Sequence, residues 1–161
     1  MEEIETLTAY HESGHAVISV LMGGQVDEVS ISPPDDDGPN RYGHTITRWP
    51  AMTREKLIAA EICVSLAGPV AEMLYVDEIR LISDVPEWAA DWFRASQIAV
   101  DELATLGLAE RLLVDCQNRI ERLFDQQNAW AAVGAVADEL LAHETLEREQ
   151  VDDVVSFWLR R

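Results

Sequence analysis

The sequence has 161 residues, which suits one domain, and 48% of them are apolar, which is enough for a hydrophobic core. Twelve basic residues stand against thirty acidic ones, for a formal charge of −18 at pH 7. A surface this acidic repels phosphate backbones and anionic lipid headgroups, so the composition argues against a nucleic-acid-binding protein.

The N-terminal segment and the cysteines bear on the compartment. MEEIETLTAY is acidic and lacks the apolar stretch of a secretory signal, and no apolar run approaches the ~20 residues of a membrane span. Cys63 and Cys116 form no CxxC motif, so we expect buried thiols rather than a disulfide. Together these features predict a soluble, cytoplasmic protein without membrane insertion.

Helix and strand signals alternate in the first part of the chain. A first helix is predicted over residues 8–22, where apolar residues recur along one face. VDEVSIS, residues 26–32, alternates apolar and polar residues as a half-buried strand does. A segment rich in proline, glycine and aspartate follows over residues 33–43, and residues 42–47 return as a second strand. The pattern predicts a hairpin with a long acidic loop.

The remaining residues read as helical. A long helix is predicted over residues 53–75, and Gly68-Pro69 should break or kink it, because proline lacks the amide hydrogen. Residues 80–88 read as irregular around a proline, and helical periodicity resumes over residues 88–106. Three further helices are predicted over residues 108–124, 128–143 and 147–161. The fold class is therefore mainly α with one small β-hairpin, in one domain.

One stretch of the first helix, AYHESGH, has the spacing of a metal site. His11 and His15 lie four residues apart, so a helix projects both rings from one face. Glu12 then lies beside the metal, where a general base for an activated water should be. Gly14 costs roughly 1 kcal/mol against alanine in a helix interior, which indicates close approach of another backbone or a substrate.

The HExxH spacing alone also occurs by chance in ordinary helices. Here it lies at the apolar centre of a helix, where the same side chains would be costly to bury without a metal. A catalytic zinc usually has three protein ligands, and Ile18 and Leu21 exclude the extended pattern HExxHxxGxxH. Chemistry leaves the third ligand open among six downstream residues: Glu28, His44, Glu72, Asp84, Glu87 and Asp91.

The chain resembles the peptidase domain of the FtsH-type ATP-dependent zinc metalloproteases. TAYHESGHAVISVL resembles that family's TAYHEAGHAL segment, VSISPP and YGHTI its paired strands, and VSLAGPVAEMLY its LLGGRAAEELVF helix. ADWFRASQIAVDEL resembles NDxxRATxIAxxMV, and the segment ending in HETLEREQV resembles the family's closing pattern. The likeness covers nearly the whole chain, and the combination of segments carries it. It implies a helical, zincin-like metallopeptidase domain, with residues 1–107 forming the metal site and cleft and residues 108–161 the C-terminal helices.

The resemblance also implies residue roles. His11 and His15 would bind zinc, Glu12 would be the catalytic base, and Asp91 would be the third ligand because it falls on the aspartate of the NDxxRAT segment. Glu72 either supports a metal-binding residue through a hydrogen bond or forms an ordinary ion pair.

Substrate contacts are expected on the strands. The resemblance implies that an extended peptide docks by strand addition on the edge formed by Val29, Ser30, Ile31 and Ser32. His44, on the second strand, either lines the cleft and contacts substrate or is an ordinary exposed strand residue.

The sequence departs from the family in three places. The family carries an ATPase domain and membrane helices ahead of this domain, whereas here HExxH comes almost at the first residue and no Gly-rich phosphate loop occurs. SDVPEWAA replaces the loop before the family's aspartate, and Pro34 followed by three aspartates replaces a basic residue. We expect such an acidic rim to favour basic peptides. For the aspartates, a solvated loop is favoured over a second metal site.

The sequence therefore predicts a zinc-dependent endopeptidase that hydrolyses unfolded or flexible polypeptides without an ATPase of its own. A separate ATPase or unfoldase is a candidate partner, and Phe157 and Trp158 are candidates for a homo-oligomer contact. The alternative is a non-proteolytic peptide-binding or regulatory module that retains the peptidase fold.

Overall fold

The computed structural model describes residues 2–32 and 43–160, and within these it contains six helices and one three-stranded sheet. The elements are α1 (Glu2–Leu21), β1 (Gln25–Ser30), β2 (His44–Arg48), α2 (Arg54–Val76), α3 (Ala89–Glu102), α4 (Leu106–Phe124), α5 (Gln127–His143), β3 (Thr145–Glu147) and α6 (Arg148–Leu159). Two 3₁₀ turns, Ile82–Asp84 and Pro86–Trp88, connect α2 to α3. The prediction of a mainly α fold is confirmed. The acidic loop, with Pro34 and the three aspartates, lies outside the described residues.

The helix α2 forms the centre of the helical layer. It packs against α1, α3 and α4, while α5 packs on α1 and α6 packs on α5. Gly14 lies where α1 meets α2, and a Cβ atom there would come within 2.6 Å of the Ala67 carbonyl oxygen. The glycine of the HExxH segment therefore permits close approach of another backbone, as its cost in a helix predicts.

The sheet is antiparallel, with the strand order β2-β1-β3. The predicted hairpin is present, with Val29 opposite Thr45, and β1 has a bulge between Val26 and Glu28. The third strand was not predicted, because three residues are too few to show an alternating pattern. It pairs with β1 on the other side, where Val29 lies opposite Leu146.

Several helix boundaries differ from those predicted. α1 begins at Glu2, ahead of the apolar pattern, because acidic side chains in a first turn interact favourably with the helix dipole. α3 ends at Glu102, because the Thr105 hydroxyl accepts a hydrogen bond from the Leu108 amide and caps the next helix. Of the predicted break or kink at Gly68-Pro69, the break is wrong, since α2 continues to Val76. Packing of α2 on three sides outweighs the hydrogen bond that Pro69 cannot donate.

The helix α2 is long and apolar enough, by length and composition, to cross a membrane. This differs from the expectation that no segment approaches such a length. Within this fold 67% of its most apolar window is buried, so the apolar surface is used for packing against neighbouring helices. Cys63, on the same helix, and Cys116, on α4, are buried free thiols, as predicted.

We expect Gly14→Ala to lower the free energy of unfolding by about 1–3 kcal/mol, because the added methyl group meets backbone that cannot move aside. Chemical denaturation followed by circular dichroism measures the change. Gly107→Ala is the matched control, because nothing lies within 4 Å of a Cβ atom there, and its stability should stay within about 1 kcal/mol of wild type. Wild-type stability in Gly14→Ala would contradict the close contact of α1 with α2.

Candidate metal centre

Three side chains of α1 are buried next to one another: His11, Glu12 and His15, each less than a tenth exposed. The two histidines face α2 and α3, and Glu12 faces β2. Asp91, in the first turn of α3, meets both histidines: one carboxylate oxygen lies 2.8 Å from His11 Nε2 and the other 3.5 Å from His15 Nε2. The structure thus brings together the two histidines and the acid that the resemblance selected.

The second nitrogen of each histidine ring is also engaged. His15 Nδ1 lies 2.6 Å from the Val64 carbonyl oxygen, and His11 Nδ1 lies 2.6 Å from Glu72 Oε1. A carbonyl only accepts, so Nδ1 of His15 carries the hydrogen, and in the neutral ring Nε2 then offers its lone pair. Glu72 selects the same tautomer in His11, which is how acceptors behind metal-binding histidines act.

Sequence reasoning missed Trp88, which completes this set of contacts. Its indole Nε1–H donates a 3.0 Å hydrogen bond to Glu72 Oε1, the oxygen that also contacts His11. Glu72 is 3% exposed, and a carboxylate so buried requires donors. The only signal in the sequence was a tryptophan three residues before Asp91, in the segment SDVPEWAA. A tryptophan in such a position is more often a residue of the hydrophobic core than a hydrogen-bond donor to a site.

The carboxylates decide the electrostatics of the cluster. Burial disfavours the charged imidazolium, but hydrogen bonds to Asp91 and Glu72 outweigh it and raise the pKa of His11 to about 10. The pKa of His15 is raised in the same way, mainly by the charge of Asp91 acting against burial. Burial also opposes ionisation of Asp91, yet the two histidines hold the pKa of its carboxyl below the usual range. The cluster is therefore built to hold positive charge.

Space for a cation is reserved by Gly68 of α2. A Cβ atom at this position would lie 2.5 Å from His15 Nε2 and 2.6 Å from His11 Nε2. Any other residue would fill the space onto which both nitrogens point. Two imidazole nitrogens and one carboxylate are a donor set that zinc binds with one position left open, so the residues present fit a divalent metal ion.

Glu12 differs from Asp91 in its contacts. The donor atoms of His11, Glu12 and His15 lie within 4.8 Å of one another, so proximity alone would also admit Glu12 as a ligand. One Glu12 oxygen, however, accepts a 2.7 Å hydrogen bond from the Thr45 hydroxyl, whereas both Asp91 oxygens face the histidines. This arrangement favours Asp91 as the metal ligand and Glu12 as a base beside the metal.

The cluster lies at the floor of a cleft of about 610 Å³. Besides the cluster, the cleft is lined by Gly43, His44, Thr45, Ile46, Thr47, Trp49, Glu61, Val64, Ser65, Glu87, Ala90 and Arg94. His44 is therefore on the cleft wall, exposed, and it pairs with Glu28 at 2.6 Å. Among the other third-ligand candidates, Asp84 contacts Ser83, and Glu87 lines the cleft.

The predicted docking edge at Val29, Ser30, Ile31 and Ser32 is wrong. β1 is the central strand, so Val29 and Ser30 are paired with β2 on one side and β3 on the other. The Ile31 amide donates to the Glu144 carbonyl, and the Ser32 amide to the Ser30 hydroxyl. Among the described residues the strand at the edge of the sheet that lines the cleft is β2.

We expect Gly68→Ala to weaken Zn²⁺ binding by at least about 100-fold, because its methyl group takes the space between the two ring nitrogens. Competition with a chromophoric chelator measures the affinity. Gly134→Ala, also inside a helix, is the control, because the nearest atom to a Cβ there is the Tyr10 hydroxyl at 3.8 Å. Wild-type affinity in Gly68→Ala would show that the metal binds elsewhere.

Glu72→Gln should weaken Zn²⁺ binding about 10–100-fold, because the amide removes the charge that supports His11. The same chelator competition applies, and circular dichroism verifies the fold. Glu78→Gln is the control, because Glu78 is exposed and lies two residues beyond the end of α2; this variant should bind Zn²⁺ as wild type does. Equal Zn²⁺ affinities for wild type, Glu72→Gln and Glu78→Gln would show that the charge of Glu72 does not support metal binding.

Comparison with known proteins agrees with the geometry. Residues 1–126 match the model of Peptidase family M41. Proteins named ATP-dependent zinc metalloprotease FtsH are similar to this chain: that of Lachnoclostridium phytofermentans is 25% identical over 95% of the chain and 30% of its own length. That of Ruminiclostridium cellulolyticum is 33% identical over 69% of the chain and 17% of its own length. That of Helicobacter pylori is 42% identical over 45% of the chain and 12% of its own length. The chain thus spans less than a third of the length of each of these relatives.

Because the family model covers well over half of the sequence, the chain belongs to peptidase family M41. This confirms the resemblance to the FtsH-type peptidase domain.

Proposed function

We propose that this chain is a zinc-dependent endopeptidase that hydrolyses flexible polypeptides, with His11, His15 and Asp91 as zinc ligands and Glu12 as the general base. The observation that carries the proposal is the convergence of both histidine Nε2 atoms on the Asp91 carboxylate, beside Glu12, at the floor of an open cleft. The name zinc metalloprotease, which the similar proteins carry, supports zinc as the metal.

Zinc bound there would lower the pKa of a water toward ~7 and polarise the carbonyl of the scissile bond. Glu12 then accepts a proton from the attacking water as the new C–O bond forms. It returns that proton to the amide nitrogen as the C–N bond breaks, so that a carboxylic acid and an amine leave. His11 and His15 keep their Nδ1 hydrogens on Glu72 and Val64 throughout, which holds both rings in place.

An extended peptide would dock on β2 rather than on β1. β2 lines the cleft and is an edge strand among the described residues, so its backbone can pair with an added strand. Strand addition requires a substrate segment that can be fully extended, which favours unfolded or flexible polypeptides over folded ones. On the cleft wall the carboxylates of Glu61 and Glu87 outnumber the guanidinium of Arg94, which lies 3.8 Å from Glu61, and this excess of negative charge supports a preference for basic peptides.

The proposal covers cleavage without ATP. The similar proteins are named ATP-dependent, whereas these 161 residues contain no Gly-rich phosphate-binding loop. For stable substrates we propose an ATPase as the partner that unfolds them, and the name ATP-dependent, which the similar proteins carry, supports this.

We expect Glu12→Gln to lower kcat on casein or a fluorogenic peptide by about 100-fold or more, because a general base contributes on that scale. Zinc content should stay at about one per chain, because Glu12 is not a ligand in this assignment. Glu110→Gln, an exposed carboxylate of α4, is the control and should keep wild-type activity.

Two further measurements complete this test. Removing zinc with a chelator should abolish cleavage, and adding ATP should leave it unchanged. Equal, background-level cleavage by wild type and Glu12→Gln would contradict the proposal and favour a non-proteolytic peptide-binding module. Absence of bound zinc in the purified protein would refute the metal site itself.

A further inference from the structure

Gly43, directly before β2, and Thr45, on β2, enclose the side chain of Glu12. The Thr45 hydroxyl lies 2.7 Å from Glu12 Oε2 and 3.3 Å from the Glu12 backbone oxygen. Its single hydrogen goes to one acceptor at a time, and the charged, nearer carboxylate is the stronger one. Thr45 therefore holds one specific oxygen of the carboxylate.

The other carboxylate oxygen lies against Gly43. A Cβ atom there would come within 2.6 Å of Glu12 Oε1 and 2.8 Å of Glu12 Cγ. The side chain of Glu12 is thus bounded on one side by a hydrogen bond and on the other by backbone that leaves no room for a methyl group. A long, flexible side chain is fixed in one place by these two contacts, as an acid–base group requires.

We propose that Thr45 is a positioning residue for peptide hydrolysis, whose hydroxyl holds Glu12 Oε2 so that Oε1 exchanges the proton with water and the leaving amine. Thr45 belongs to β2, the strand on which we propose that the peptide docks. The scissile bond and the base are then placed by one short strand, so their relative position is set when the peptide pairs with it. This inference rests on the proposed function.

A merely structural role for Thr45 would be to join β2 to α1, and the chain offers a matched control for that role. A second hydroxyl contact joins the same two elements: the Ser19 hydroxyl of α1 lies 2.8 Å from the Thr47 hydroxyl of β2. Ser19 is fully buried and is not among the cleft-lining residues, so Ser19→Ala removes this contact and leaves the cleft wall unchanged. The two contacts differ in that only that of Thr45 reaches the proposed base.

The kinetic test compares Thr45→Val, Thr45→Ser and Ser19→Ala on a fluorogenic peptide. Valine keeps the shape and removes the hydroxyl, so kcat of Thr45→Val should fall by about tenfold or more, with KM changed by less than about twofold. Thr45→Ser should recover kcat to within about threefold of wild type, because it restores the donor. Ser19→Ala should keep the wild-type kcat, and all variants should bind about one zinc per chain.

Crystal structures of the zinc-bound wild type and Thr45→Val provide a readout that does not depend on activity. We expect the Glu12 carboxylate to leave its wild-type position, or to occupy two positions, in Thr45→Val alone. An unmoved Glu12, an unchanged kcat in Thr45→Val, or an equal loss of kcat in Ser19→Ala would each overturn the inference. If wild type cleaves no peptide, the proposed function fails, while the position of Glu12 in the two structures still decides whether Thr45 holds it.

Discussion

The contact between α1 and α2 is the constraint on which the candidate site depends. His11 and His15 repeat every four residues on α1, and the α2 residues that serve them repeat at the same interval: Val64, Gly68 and Glu72. Positions four residues apart lie on one helix face, and because His11 contacts Glu72 while His15 contacts Val64, the two helices run antiparallel. Gly68 leaves the space between the histidines, while the other two α2 residues hold the rings.

The close approach of α1 and α2 lowers the stability of the fold in two ways. Glycine in a helix interior is unfavourable by roughly 1 kcal/mol, and Gly14 and Gly68 each occupy such a position in adjoining helices. Buried carboxylates and imidazoles add a desolvation cost that only mutual pairing or a bound cation offsets. The surrounding packing of α2 against three helices supplies the stability that these features remove.

The small sheet leaves one of its edge strands facing the cleft. β3 is only three residues long, yet it covers the second edge of β1 and leaves β2 as the strand that faces the cleft. Because β2 also carries Thr45, the strand that can pair with a peptide is the one that contacts Glu12. In the proposed function, docking and chemistry would thereby share a single element rather than two that move independently.

Periodicity in the sequence was sufficient for the helices, the hairpin and the grouping of His11, Glu12 and His15, because a helix turn places such neighbours together whatever surrounds them. Residue chemistry left the third ligand open, and only the packing of α3 on α2 brings Asp91 to both histidines, since a contact between distant segments leaves no local pattern. Tertiary structure likewise decided that α2 passes through Pro69 and that Trp88 supports Glu72. It also decided that β1 is covered on both sides, because burial and strand pairing depend on what lies opposite.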